Sequence, residues 1–118
     1  MKRRIAALLV AALAALALSA LGQAATPRLV GETGPGFSIE VTKGGKDVKK
    51  LKHGTYKIKV EDKSSIHNFH LIGPGLNKKT GVSFKGTTTW TIRLKAGKYT
   101  YKCDPHAASG MKGSFRVT

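Results

Sequence analysis

Five short segments alternate strictly between apolar and polar residues, and the turns that part them carry glycine. Phe37, Ile39 and Val41 alternate with Ser38, Glu40 and Thr42; Tyr56, Ile58 and Val60 alternate with Lys57, Lys59 and Glu61. Trp90, Ile92 and Leu94 enclose Thr91 and Arg93, Tyr99, Tyr101 and Cys103 enclose Thr100 and Lys102, and Phe115 and Val117 flank Arg116. Successive side chains of a strand point to opposite faces, so each segment buries one face and wets the other. Aromatic and β-branched residues suit that half-buried pleat. Turns such as Lys43-Gly44-Gly45-Lys46, Gly73-Pro74-Gly75 and Ala96-Gly97-Lys98 separate them. The pattern predicts an all-β fold, an antiparallel β-sandwich or barrel.

The first 24 residues stand apart. Lys2, Arg3 and Arg4 make a positive start, Ile5 to Leu18 is an unbroken apolar run of 14 residues, and Gly22 and Ala24 are small. A membrane span needs roughly 20 apolar residues. The sequence therefore predicts a helical signal peptide over 1–24, cut after Ala24, with an uncleaved membrane anchor as the competing reading. Residues 25–35 read as a lead-in segment and 36–118 as one domain. Export, to the bacterial periplasm or beyond, is the expected location.

Cleavage leaves 94 residues, a size at which only about 60–65% of the unfolded surface is buried. Small exported domains commonly add disulfides, but Cys103 is the single cysteine. A metal bound through it would both staple the fold and protect the thiol. Three of the 21 basic residues and none of the six acids lie in the first 24, so the remainder carries +12. Export and the dispersal of the lysines argue against nucleic acid as a partner. Redox proteins with acidic docking surfaces fit this charge, with membrane contact only through the signal segment or surface charge. The domain is expected to be a monomer.

One short stretch concentrates chemistry. Cys103, Asp104, Pro105, His106 and Met111 lie within nine residues, and a His67-Asn68 pair stands far upstream. Two imidazoles, a thiolate and a thioether form the ligand set of trigonal copper centres. A free cysteine alone is more often inert core, a lone Met more often packing, and Cys-x-x-His also occurs in zinc sites and thiol enzymes. Alternation puts His67 on one face with Phe69 and Leu71, and Asn68 and His70 on the other. That favours His67 over His70 as the inward ligand. The Gly73-Pro74-Gly75 turn is expected at the same end as the Cys103 loop, with Gly75 and Leu76 beside an apolar patch of Ala107 and Ala108 through which the His106 ring edge emerges.

Ile66-His67-Asn68-Phe69-His70-Leu71, Thr89-Trp90-Thr91, the run from Gly97 to His106 and Met111-Lys112-Gly113-Ser114-Phe115 resemble the cupredoxin family. The Cys-x2-His-x4-Met spacing is similar to that of plastocyanin, and the His-Asn-x-His strand to that of amicyanin. The resemblance covers roughly residues 36–118. It implies a Greek-key β-sandwich with one mononuclear type 1 copper, bound by His67, Cys103, His106 and Met111. It also implies that Asn68 ties the two ligand loops together and helps hold the thiolate in hydrogen bonds, with Asp104 as its loop partner, and that His70 is not a ligand. Family members often have Thr or Ser at the position of Asp104.

A carrier of single electrons is the function this implies, and a module for copper trafficking or storage is the alternative. An enzyme is not expected. Cys103 and His106 lack a third orienting residue for thiol catalysis, and the mature length leaves no room for a second copper domain.

Overall fold

The computed structural model describes residues 25–118; the signal peptide read at 1–24 lies outside them. Ten strands form two five-stranded sheets packed face to face. The first sheet contains β1 (Arg28–Thr33), β2 (Ile39–Lys43), β3 (Lys46–Asp47), β5 (Gly54–Asp62) and β8 (Gly86–Leu94), in the order β3-β2-β1-β5-β8. The second contains β4 (Lys50–Leu51), β6 (His70–Gly73), β7 (Leu76–Lys79), β9 (Gly97–Lys102) and β10 (Lys112–Val117), in the order β4-β10-β9-β6-β7.

The alternation seen in the sequence is the burial pattern of the strands. Tyr56, Ile58 and Val60 of β5 point inward, and β5 pairs antiparallel with β8 along its whole length, setting Ile58 opposite Trp90. Facing them, Tyr99 of β9 stacks on Phe115 of β10 with ring centroids 5.6 Å apart. The Tyr99 hydroxyl donates to the Pro74 carbonyl at 2.8 Å and accepts from Lys95 N–H at 2.9 Å. The ring thereby buries its apolar body while its polar tip is satisfied.

Three features differ from the sequence expectation. The sheets are mixed, because β1 pairs parallel with β5 and β4 parallel with β10. Residues 28–33, read as lead-in, form β1, the middle strand of the first sheet. A Cβ on its Gly31 would meet Cζ of Phe69 at 2.6 Å. The glycine lets the Phe69 ring lie against the strand. Finally, β6 runs antiparallel to β9, with His70 opposite Lys102. The Gly73-Pro74-Gly75 turn therefore sits where β9 begins, at the end opposite Cys103, and Gly75 and Leu76 do not flank the ligand loop.

Candidate metal centre

Cys103 follows the last residue of β9, and its inward phase leaves it fully buried. The chain then turns. Pro105 opens a short 3₁₀ segment, Asp104–Ser109, in which His106 N–H donates to the Cys103 carbonyl at 3.1 Å. Gly110, at φ 99°, adopts the left-handed conformation that ends the segment, a region glycine enters without steric cost. The chain can then return, so that Met111 N–H reaches the His106 carbonyl at 3.2 Å and Cys103 N–H reaches the Met111 carbonyl at 3.1 Å. These bonds bring Met111, only 2% exposed, alongside Cys103.

His67 arrives from just before β6, on the same interior side as Phe69 and Leu71, and all three are fully buried. Its Nδ1 lies 3.0 Å from His106 Nδ1 and 3.6 Å from Cys103 Sγ; His106 Nδ1 lies 3.4 Å from the same sulfur. The point equidistant from these three atoms is about 1.9 Å from each, close to the roughly 2.0–2.3 Å that a first-row ion keeps to imidazole and thiolate donors. Two ring nitrogens and a sulfur so close together repel unless a proton or a cation lies among them. Histidine, cysteine and histidine form the donor set that copper prefers, and the residues present fit it. Of the proposed ligands only His106 is half-exposed; His67, Cys103 and Met111 are closed to water.

Around the triangle the two ligand segments are clamped together. Asn68 Oδ1 accepts from Asp104 N–H at 2.7 Å, and its Nδ2 donates to Asp104 Oδ2 at 2.8 Å and to the Thr80 carbonyl at 3.2 Å. Both amide hydrogens are thus occupied by oxygens, and the Asn68 side chain donates none to the Cys103 sulfur, contrary to what the resemblance implied. Burial pushes the Asp104 carboxyl up. Hydrogen bonds from His70 and Asn68, with the charges of His70 and Lys102, outweigh it and hold the group below its ordinary value. His70 is the partner sequence reasoning left out. Its Nδ1 meets Asp104 Oδ1 at 2.8 Å and its Nε2 meets Asn77 Oδ1 at 2.6 Å, linking the ligand loop to β7. Its outward phase excluded it as a ligand and also aimed it at the loop.

Phe37 was also missed. The sequence places it on the buried face with Ile39 and Val41, but β2 begins only at Ile39 and Phe37 is 69% exposed. Its ring lies edge-on to both ligand imidazoles, 5.2 Å from His67 and 4.9 Å from His106 between centroids. The Gly34-Pro35-Gly36 turn immediately before it was the available signal, since such a turn ends strand alternation.

Asn68→Ala is expected to lower stability by about 2–3 kcal/mol, because Asp104 N–H and the Thr80 carbonyl lose their partner together. For a domain this size, that is a fall of about 10 °C or more in Tm, readable by thermal denaturation followed by circular dichroism.

A model of copper-binding proteins of the plastocyanin/azurin family matches residues 28–118. Among solved structures, reduced rusticyanin is 27% identical with a TM-score of 0.61, covering 81% of this chain and 81% of its own. Rusticyanin from Thiobacillus ferrooxidans in another structure is 26% identical with a TM-score of 0.56, covering 81% and 79%. An oxidised amicyanin variant shares the fold at 18% identity and a TM-score of 0.52, covering 82% and 88%. No curated protein sequence matches the chain.

Proposed function

The chain belongs to the plastocyanin/azurin family of copper-binding proteins, and we propose that it is an exported carrier of single electrons between redox proteins. The observation that carries this reading is the triangle of His67, Cys103 and His106, whose carrying segments are tied together by hydrogen bonds. Cys103 and His106 are set by the loop's own backbone, and His67 by the strand it precedes and by Asn68 beside it. Copper bound there would take up and give back one electron. The protein's part is to keep the donors still, since any movement between the two oxidation states slows transfer. Met111, buried and tied by its backbone beside Cys103, would supply a weak thioether donor, the usual lever on potential in such sites. A solved relative 27% identical to this chain is described as reduced rusticyanin, which agrees with a centre that changes oxidation state.

His106, the ligand open to the surface, is the port, and Phe37 and Ala107 form the apolar skin around it. Phe37→Glu is expected to slow exchange with a protein partner by on the order of tenfold while leaving the copper spectrum intact; stopped-flow mixing with a redox protein checks it. The dispersed lysines suit a partner with an acidic docking face. The positive start and short apolar run of residues 2–18 support export.

Copper trafficking or storage is the competing reading, and the metal's retention decides between them. Titration of the protein with Cu(II), then reduction by ascorbate and reoxidation, should give an intense visible band that bleaches and returns with copper still bound. Loss of the reduced ion to a Cu(I) chelator on each cycle would favour trafficking.

A further inference from the structure

Three buried side-chain polar atoms among the described residues have no hydrogen-bond partner: Thr33 Oγ1, Asp62 Oδ2 and His67 Nε2. All three residues are at most 2% exposed, and they converge. Thr33 and Asp62 face each other as the last pair of the parallel β1–β5 ladder. Lys63 N–H donates to the Thr33 carbonyl at 2.9 Å, and Ser64 N–H donates to the other Asp62 oxygen, Oδ1, at 3.1 Å. A Cβ on Gly34, next to Thr33, would lie 3.1 Å from His67 Cδ2 and 3.2 Å from Ser64 Cβ. Cδ2 is the ring carbon bonded to Nε2, so the back edge of the imidazole faces this junction. Burial pushes the Asp62 carboxyl above its ordinary value, and the Ser64 N–H and the nearby His67 ring pull against that rise.

Each buried polar group left unpaired costs about 1–3 kcal/mol. Three at one junction, none bonded directly to another, are satisfied by a shared water with two to four polar partners. Their chemistry is balanced for this. With Nδ1 turned to the metal, Nε2 carries the ring proton and can only donate; a carboxylate oxygen accepts; a hydroxyl does both.

We propose that Asp62 is a positioning residue of the copper centre, its Oδ2 receiving the hydrogen bond of the His67 Nε2 proton through a water shared with the Thr33 hydroxyl. The carboxylate fixes the tautomer and the ring's direction from behind, and it raises the basicity of Nδ1. A more basic imidazole favours the more positive ion, so Asp62 strengthens Cu(II) binding relative to Cu(I). The inference rests on copper at the triangle and is independent of whether the protein is a carrier.

Asp62→Asn separates this role from a structural one. The amide keeps an oxygen for Ser64 N–H but sets a donor where Oδ2 stood, against the donor of His67. The copper-loaded variant should keep its visible band while its preference for Cu(II) over Cu(I) falls about tenfold, which for one electron is a rise of about 59 mV in potential. In the Cu(I)-loaded wild type, nitrogen-15 NMR should show a His67 Nε2 proton exchanging slowly with water, and the variant should lose that protection. An unchanged potential in the variant overturns the proposal. So does a wild-type Nε2 proton that exchanges like one on an exposed imidazole, a result that needs no variant to fold. A wild-type protein that takes up no copper overturns the metal site itself and this inference with it.

Discussion

Cys103→Ser should abolish the visible band of the copper-loaded protein and, with it, stable retention of the reduced ion. The band belongs to charge moving between thiolate sulfur and Cu(II), and a hydroxyl cannot supply it. The substitution is otherwise mild. Serine is close to cysteine in shape, and its hydroxyl would stand between two ring nitrogens already 3.4 and 3.6 Å from the sulfur position, each able to exchange a hydrogen bond with it. The fold should therefore survive with an unchanged far-ultraviolet spectrum. The remaining nitrogens can still take Cu(II), but Cu(I) loses the soft ligand it selects. A fall in Cu(I) affinity beyond about 100-fold is expected, above the range seen when outer partners of a ligand are removed. Competition with a Cu(I) chelator measures it. Retention of the band in the serine variant would place copper elsewhere in the molecule.

The sequence exposes the ligands because chemistry, not packing, dictates them. Cys103, His106 and Met111 lie in one loop, and the period-two phase of residues 67–71 alone separates His67 from His70. The strands with one wet face are equally plain, as in β5, where lysine and glutamate mark the outside. What stays hidden depends on contacts remote in the chain. β1 is disguised by Gly31, whose reason is the ring of Phe69 across the sandwich. The position of Gly73-Pro74-Gly75 follows from the direction in which β6 meets β9, which alternation does not encode. Phe37 shows the opposite failure, a local pattern extended two residues ahead of Ile39, where β2 begins. The bonding of His70 and the convergence of Thr33, Asp62 and His67 need the three-dimensional arrangement, because none of these side chains forms a motif.

Phe69→Ala should be the most damaging single truncation in the core, at about 3–5 kcal/mol. Phe69 is fully buried, stacks on Tyr101 at 6.2 Å with rings 8° from parallel, and meets Trp90 at 6.2 Å with rings tilted by 52°. It joins the two sheets, since Trp90 belongs to β8 and Tyr101 to β9. Gly31, which lies against the ring, has no side chain to offer the space left behind. Domains of this kind are stable by only about 5–15 kcal/mol, so the metal-free variant should lose at least about a fifth of its resistance to denaturant. The backbone of Phe69 also anchors the ligand pair before it. Its N–H donates to Thr80 Oγ1 at 2.9 Å and its carbonyl accepts from Thr80 N–H at 3.0 Å. Copper present at 100 times its dissociation constant stabilises an intact site by about 2.7 kcal/mol. At one fixed copper concentration the variant should gain less than the wild type, because loosening residues 67–69 weakens the triangle as well as the core. Equal gains in the two proteins would show that the ring supports the sandwich alone and that the ligand positions are set by Asn68 and the loop.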